Sequence, residues 1–243
     1  MAKKNTFASL FRDSFKDFVK NPNLILPSLL LLVFLIIFSK GLVKVSSSFQ
    51  INPSSILFII GFIVISLLAT SFFFSGLIGM SKEAIKGKSK IKDLFSYSKK
   101  FWLKNFLIIL LIYVLYRLIN LALIYGINSV GQALNLELST AQIIFFILYF
   151  ASIAGILIFL TFSSFYLVIF NSKIIESMKK SLFFVKNNYI FTLSILIIFF
   201  ALNQLLSILI EDITQGLLFD VINYVFIMPF LSVVLTRFVI TRT

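Results

Sequence analysis

The chain of 243 residues is 60% hydrophobic and only 13% charged, with 31 Phe, a mean hydropathy of +1.06 and a formal net charge of +13. A soluble domain of this length must coat its core with charge, so the composition excludes that class and points to a chain dissolved in lipid. Without Cys or His there is no thiolate or imidazole ligand and no near-neutral proton carrier, and the nine acids are scattered, so no metal centre, cofactor or catalytic site is expected.

Residues 5–20 read as an amphipathic helix. Phe7, Leu10, Phe11, Phe15 and Phe18 recur at helical spacing while Arg12, Lys16 and Lys20 take the other side, a pattern suited to lying at a membrane interface. This lead-in lacks the form of a cleavable signal peptide. Asn21-Pro22 ends it, since a residue before proline is pushed out of helical geometry. A first span is expected at about 24–39, an outer loop at 40–55, and a second span at 55–79, where Gly61, Ser71, Ser75, Gly76 and Gly79 permit close approach of neighbouring helices.

The stretch 82–104, KEAIKGKSKIKDLFSYSKKFWLK, carries eight lysines against two acids. Gly87 interrupts it, and from Lys88 a second amphipathic segment places Ile91, Leu94, Phe95 and Trp102 on one side. A third span follows at 105–126. Beyond a polar loop, Ser139 or Thr140 is expected to cap the apolar run 141–170, about 45 Å of helix that must tilt or project. The segment 171–188 places Ile174, Met178, Leu182 and Val185 on one face. The fifth span is expected at 189–210 and the sixth at 221–240, where Pro229 lies mid-span and should kink it or leave a carbonyl unpaired.

Charge fixes the threading. No charge stands between Lys20 and Lys40, Lys44 and Lys82, Glu137 and Lys173, or Lys186 and Glu211, and roughly 20 residues cross the hydrocarbon. The segments 1–23, 80–104, 171–188 and the C-terminal end hold nineteen basic residues against five acidic, whereas the opposite loops hold Lys40 and Lys44 against Glu137, Glu211, Asp212 and Asp220. That asymmetry predicts a multi-pass protein of the cell membrane with both termini cytoplasmic, the basic face meeting anionic headgroups rather than nucleic acid. A protein partner or a second copy is the other partner the composition allows.

Three tetrapeptides suggest duplication. Phe18-Val19-Lys20-Asn21, Trp102-Leu103-Lys104-Asn105 and Phe184-Val185-Lys186-Asn187 are separated by 84 and then 82 residues, each closing an amphipathic segment and opening a span. The expected fold is all-α: one integral membrane domain over 1–243, six spans as three parallel hairpin repeats at about 5–87, 88–170 and 171–243, with interfacial helices. In this arrangement Lys20, Lys104, Lys186 and Trp102 sit at headgroup level and each Asn caps the next span. The other reading has the three lysines converge on one headgroup.

Arg117 is the sharpest polar feature, because a charge near the bilayer centre normally faces protein or water and has a partner. Asn120, Asn203 and Gln204 stand at comparable depth and form the expected intramembrane cluster. It reads as a fixed interhelical tie or as a cation facing a phosphate or carboxylate ligand, unless the helix shifts and Arg117 snorkels outward. No serine has a base beside it, and no nucleotide-binding or zinc-protease motif is present.

The NPNLILP start of the first span, the exit of the second from Gly79 to Gly87, and ESMKKSLFFVKNNY from Glu176 to Tyr189 resemble a loose superfamily of six-span prokaryotic membrane proteins. These are related to the membrane domain found beside glycerophosphoryl diester phosphodiesterases. The resemblance implies the span count; the catalytic barrel of the phosphodiesterases is a separate soluble part, so their activity is not implied. Two functions follow as expectations: transport of a small anionic or lipidic solute, or a non-catalytic membrane scaffold or partner subunit contacting anionic lipid.

Overall fold

Lipid demands that backbone polar groups be satisfied within each crossing segment, and the chain answers with helices. The computed structural model describes residues 6–46, 53–133, 138–210 and 217–243. In chain order these form α1 (Phe7–Lys20), a 3-10 turn (Pro22–Leu24), α2 (Ile25–Ser46), α3 (Pro53–Ile85), α4 (Ile91–Ala133), α5 (Leu138–Phe170), α6 (Ile174–Asn187), α7 (Tyr189–Ile210), α8 (Leu217–Ile222), a π-helical turn (Asn223–Ile227) and α9 (Met228–Arg242), with no strand among the described residues. Among those residues five stretches are long and apolar enough to cross a membrane: Pro22–Lys40, Leu57–Ile85, Ile91–Gly126, Tyr189–Ile208 and Leu218–Arg242. The expected fourth span lies in α5, a single α-helix of 33 residues or about 50 Å. The outer-loop acids Glu137, Glu211 and Asp212 lie outside the described residues.

α3 is the hub. It packs against α1, α2, α4, α5 and α9, and burial runs along its second half, with Ser71, Ser75, Leu77, Ile78, Met80, Ser81 and Ala84 inaccessible. Around it pack Leu10 of α1, Leu94 and Phe101 of α4, Phe162 and Phe165 of α5, Phe184 of α6, and Val234 and Phe238 of α9. Burial is therefore concentrated at the lysine-rich end. Towards the other end Leu57 to Ile60, Leu118, Leu121 and Ile208 are exposed. Lipid tails are as apolar as leucine, so these surfaces need no protein cover.

The α3–α4 hairpin shows how close approach is obtained. Gly87 (φ 138°) makes the turn, a conformation in which any side chain would be strained. A Cβ on Gly76 would stand 2.5 Å from Ser98 Oγ, and one on Gly79 would overlap the Tyr97 ring, whereas Gly61 has open space around it. Ser98 Oγ donates to the carbonyl of Phe72 at 2.7 Å, and Asn105 Nδ2 donates to that of Ser71 at 3.4 Å. Gly76 and Gly79 thus perform the expected packing role and Gly61 does not.

The amphipathic segments differ from expectation in register. In α4 the buried stripe is Leu94, Ser98, Phe101, Asn105 and Ile108, while Ile91 and Phe95 face outward. In α6 it is Ser177, Ser181, Phe184 and Val185, with Leu182 exposed. Serines are chosen over larger apolar residues because two backbones meet there and only a small side chain that bonds a backbone carbonyl fits. α1 does not lie free with its phenylalanines in lipid: Leu10 and Ser14 are buried, and Phe7 and Phe11 pack on Phe191, Phe199 and Phe230.

Nor do the asparagines cap the spans. Asn105 stands inside α4, which runs unbroken from Ile91 through the third span, because its buried amide bonds α3 and leaves no cause for a break. Asn21 instead closes α1: its N–H donates to the Phe18 carbonyl, its Nδ2 to that of Asp17 at 2.8 Å, and its Oδ1 accepts the Ser89 N–H at 2.8 Å. Asn188, not Asn187, closes α6 the same way, Nδ2 donating to Phe184 O at 3.0 Å. α5 begins at Leu138, ahead of Ser139 and Thr140, so neither is its cap.

Candidate functional site

The lysine-rich end is locked by a few polar ties. Asp17 of α1 pairs with Arg237 of α9, both side chains under one-fifth exposed. Lys82 Nζ donates to the Ile169 carbonyl at 2.7 Å, one of the orphan carbonyls in the last turn of α5, and Ser172 Oγ donates to that of Tyr166 at 3.0 Å, beyond Asn171, whose positive φ (53°) ends the helix. Glu83 Oε1 accepts from Tyr97 Oη at 2.6 Å and from Lys86 Nζ at 3.0 Å. Ser81 and Ser232 share a hydrogen bond at 3.0 Å between α3 and α9.

Arg117 is not in this packed part. It is exposed on α4, its Nε donating to Tyr113 Oη at 3.0 Å and its guanidinium lying 5.2 Å from that ring. Tyr116 and Tyr149 share a hydrogen bond at 2.7 Å between α4 and α5. Asn203 Nδ2 turns back to the Phe199 carbonyl at 3.2 Å, and Gln204 is exposed on α7. Among the described residues no hydrogen bond joins Arg117 to Asn120, Asn203 or Gln204, so the structure does not bring the expected cluster together. α4 packs on α3, α5 and α6, whereas α7 packs on α5, α6 and α8.

Lys20, Lys104 and Lys186 are all exposed, and Trp102 is half-buried. Pro229 is buried one residue into α9. Ahead of it the helix widens to a π turn, the Met228 N–H reaching the carbonyl of Asn223 five residues back. The widening makes room for a ring that would otherwise clash with the carbonyl four residues earlier.

A cleft of about 590 Å³ opens between α5, α6 and α9. Lys179, Lys180 and Arg242 stand round it, Asn187 on its rim, and Tyr166 and Phe184 beneath. Tyr166 Oη bonds Thr243 Oγ1 at 3.0 Å, tying α5 to the end of α9. Lys180 pairs with Glu176 at 2.8 Å, a bond that holds the Glu176 carboxyl below its usual range, and Lys173 adds to the effect. Arg242 lies 4.9 Å from the Phe191 ring. Hydropathy reading missed this site. Arg242 stands more than sixty residues from Lys179 and Lys180 in sequence, and only the α5–α6 turn and the docking of α9 bring them to one place.

Residues 9–241 match the family model described as a domain of unknown function (DUF7847). The chain belongs to this family. The match spans nearly the whole DUF7847 chain and reaches each of the nine α-helices among the described residues. No curated protein and no solved structure matches it. None of these comparisons links it to the membrane domain associated with glycerophosphoryl diester phosphodiesterases.

Proposed function

We propose that the protein is a non-catalytic membrane scaffold whose lysine-rich, cytoplasmic face holds anionic lipid, and through it a partner, at the inner surface of the cell membrane. The observation that carries this reading is the division of the bundle: its lysine-rich end is packed and tied, whereas Arg117 stands on an exposed face of α4. The described cleft opens at the lysine-rich end and has no Arg117 in its lining. A transport path would want a polar cavity that reaches the intramembrane charge.

The proposed architecture is six spans in three parallel hairpin units with both termini cytoplasmic. Supporting it, α1 and α6 each have 14 residues and α3 and α5 each have 33. A serine inaccessible to solvent precedes an asparagine by seven residues in each unit: Ser14 and Asn21, Ser98 and Asn105, Ser181 and Asn188. The kinship with the phosphodiesterase-associated membrane domain belongs to the same proposal.

A second reading, passage of a small anionic or lipidic solute, is favoured by the Arg117–Tyr113 pair and by the π turn before Pro229. Proteoliposome flux separates the two. The scaffold gives no flux over a broad panel of organic anions and phospholipids. Flux in the wild type that is lost in Arg117→Ala overturns the scaffold in favour of a transporter.

A further inference from the structure

We propose that the cleft between α5, α6 and α9 binds the phosphate-bearing headgroup of one anionic phospholipid, whose acyl chains leave over Phe183 and along the start of α7. The proposal rests on the lipid-contacting reading of the lysine-rich face and names the place where that contact is specific.

The cleft's volume lies in the usual range for small-molecule sites, roughly 300–1,000 Å³. The charged side chains that line it, Lys179, Lys180 and Arg242, are all cationic. Lys179 is exposed and makes no ion pair with a described residue, while the ionised Glu176 holds Lys180 in place. Arg242 presents a planar guanidinium already oriented on the Phe191 ring, and such a fork matches two phosphate oxygens at once. The Asn187 amide, exposed on the rim, adds a neutral donor suited to a phosphoester or glycerol oxygen.

Position makes the anion a lipid. Lys179 and Asn187 stand about 12 Å apart along α6, and α7 enters its apolar span directly after Asn188, so the cations lie at headgroup level. From the cleft an apolar exit continues outward. Phe183 of α6, on its rim, is 67% exposed, and Ile190, in the first turn of α7, is 80% exposed. A soluble phosphate has no use for that exit; an acyl chain does.

Native mass spectrometry of the purified full chain in detergent, with phosphatidylglycerol or phosphatidylcholine added, tests the site. One phosphatidylglycerol is expected to remain bound under activation that strips phosphatidylcholine. Lys179→Gln, a change at an exposed side chain, is expected to weaken this binding roughly tenfold, the worth of one charged hydrogen bond. Lys179→Gln with Arg242→Gln is expected to abolish it, thermal unfolding confirming that the pair still folds. Lys20→Gln with Lys104→Gln, at other parts of the basic face, is expected to leave it unchanged. Equal retention in wild type and Lys179→Gln, or equal loss in the Lys20 and Lys104 pair, overturns the site but not the scaffold, which the flux assay decides separately. Displacement of the lipid by millimolar inorganic phosphate overturns the lipid assignment and makes the occupant a soluble anion.

Discussion

Gly79→Ala and Gly61→Ala are the same substitution in the same helix and should have opposite signs. Replacing a mid-helix glycine by alanine gains up to about 1 kcal/mol of helix propensity. At Gly61 nothing stands within 4 Å of the new methyl, so that gain is kept. At Gly79 the methyl falls on the Tyr97 ring, which cannot simply swing aside because its hydroxyl is held by Glu83 at 2.6 Å. Overpacking costs about 1–3 kcal/mol. Displacing the ring also forfeits a hydrogen bond to a charged group, about 1.5–3 kcal/mol. With the propensity gain subtracted, Gly79→Ala should lose about 1.5–5 kcal/mol. Reversible unfolding of the detergent-solubilised protein, read by circular dichroism, measures both. If Gly79→Ala raises stability as Gly61→Ala does, the close α3–α4 contact is wrong and the packed end built on it falls with it.

Asp17→Asn leaves Arg237 largely buried without its carboxylate and should cost about 3 kcal/mol, while Asp17→Leu with Arg237→Met, which removes both charges, should cost far less; equal losses in the two variants would refute a desolvated pair. Threading can be read with single cysteines, since the native chain has none. Cysteines at the exposed positions Lys90 and Lys179 should react with an impermeant thiol reagent only from the cytoplasmic side, and one at Asp220 only from the other. Reaction of Lys90→Cys and Asp220→Cys from one side would break the hairpin threading.

Hydropathy made the crossings legible because the bilayer imposes it on every lipid-facing residue. Leu57 to Ile60, Leu118 and Ile208 are apolar whatever they pack against. The packed end follows another rule. There Ser98 and Ser181 are buried and Phe95 and Leu182 are not, so a pattern that scores serine as polar turns each helix the wrong way. In each of the three segments a buried serine stands seven residues before an asparagine, Ser14 and Asn21, Ser98 and Asn105, Ser181 and Asn188, and that serine rather than the large apolar residues marks the buried side. Nothing in the local sequence announced that α1 docks through Phe7 and Phe11, because a free interfacial helix and a docked one share the same amphipathic pattern. The cleft was hidden for a different reason: Tyr166, Lys179 and Arg242 meet only through tertiary structure.

Arg117 decides between a tie inside the bundle and a charge tolerated at its surface. Side chains on a helix lean towards its N-terminus, and the hydrogen bond from Arg117 back to Tyr113, one turn earlier, follows that lean. Arg117 stands about 18 Å of helix beyond Asn105, and its guanidinium is thereby drawn back towards the lysine-rich side. Its described hydrogen-bond partner is a neutral phenol on its own helix, so Arg117→Leu removes one local bond and should leave bundle stability within about 1 kcal/mol. Insertion of the α4 segment should improve by about 3 kcal/mol, the difference between arginine and leucine near a helix centre. Glycosylation mapping of the inserted segment reads the second quantity and unfolding of the whole protein the first. A fall of several kcal/mol in bundle stability would show that Arg117 holds another helix, and the exposed face of α4 would then be an interface inside the protein rather than its boundary with lipid.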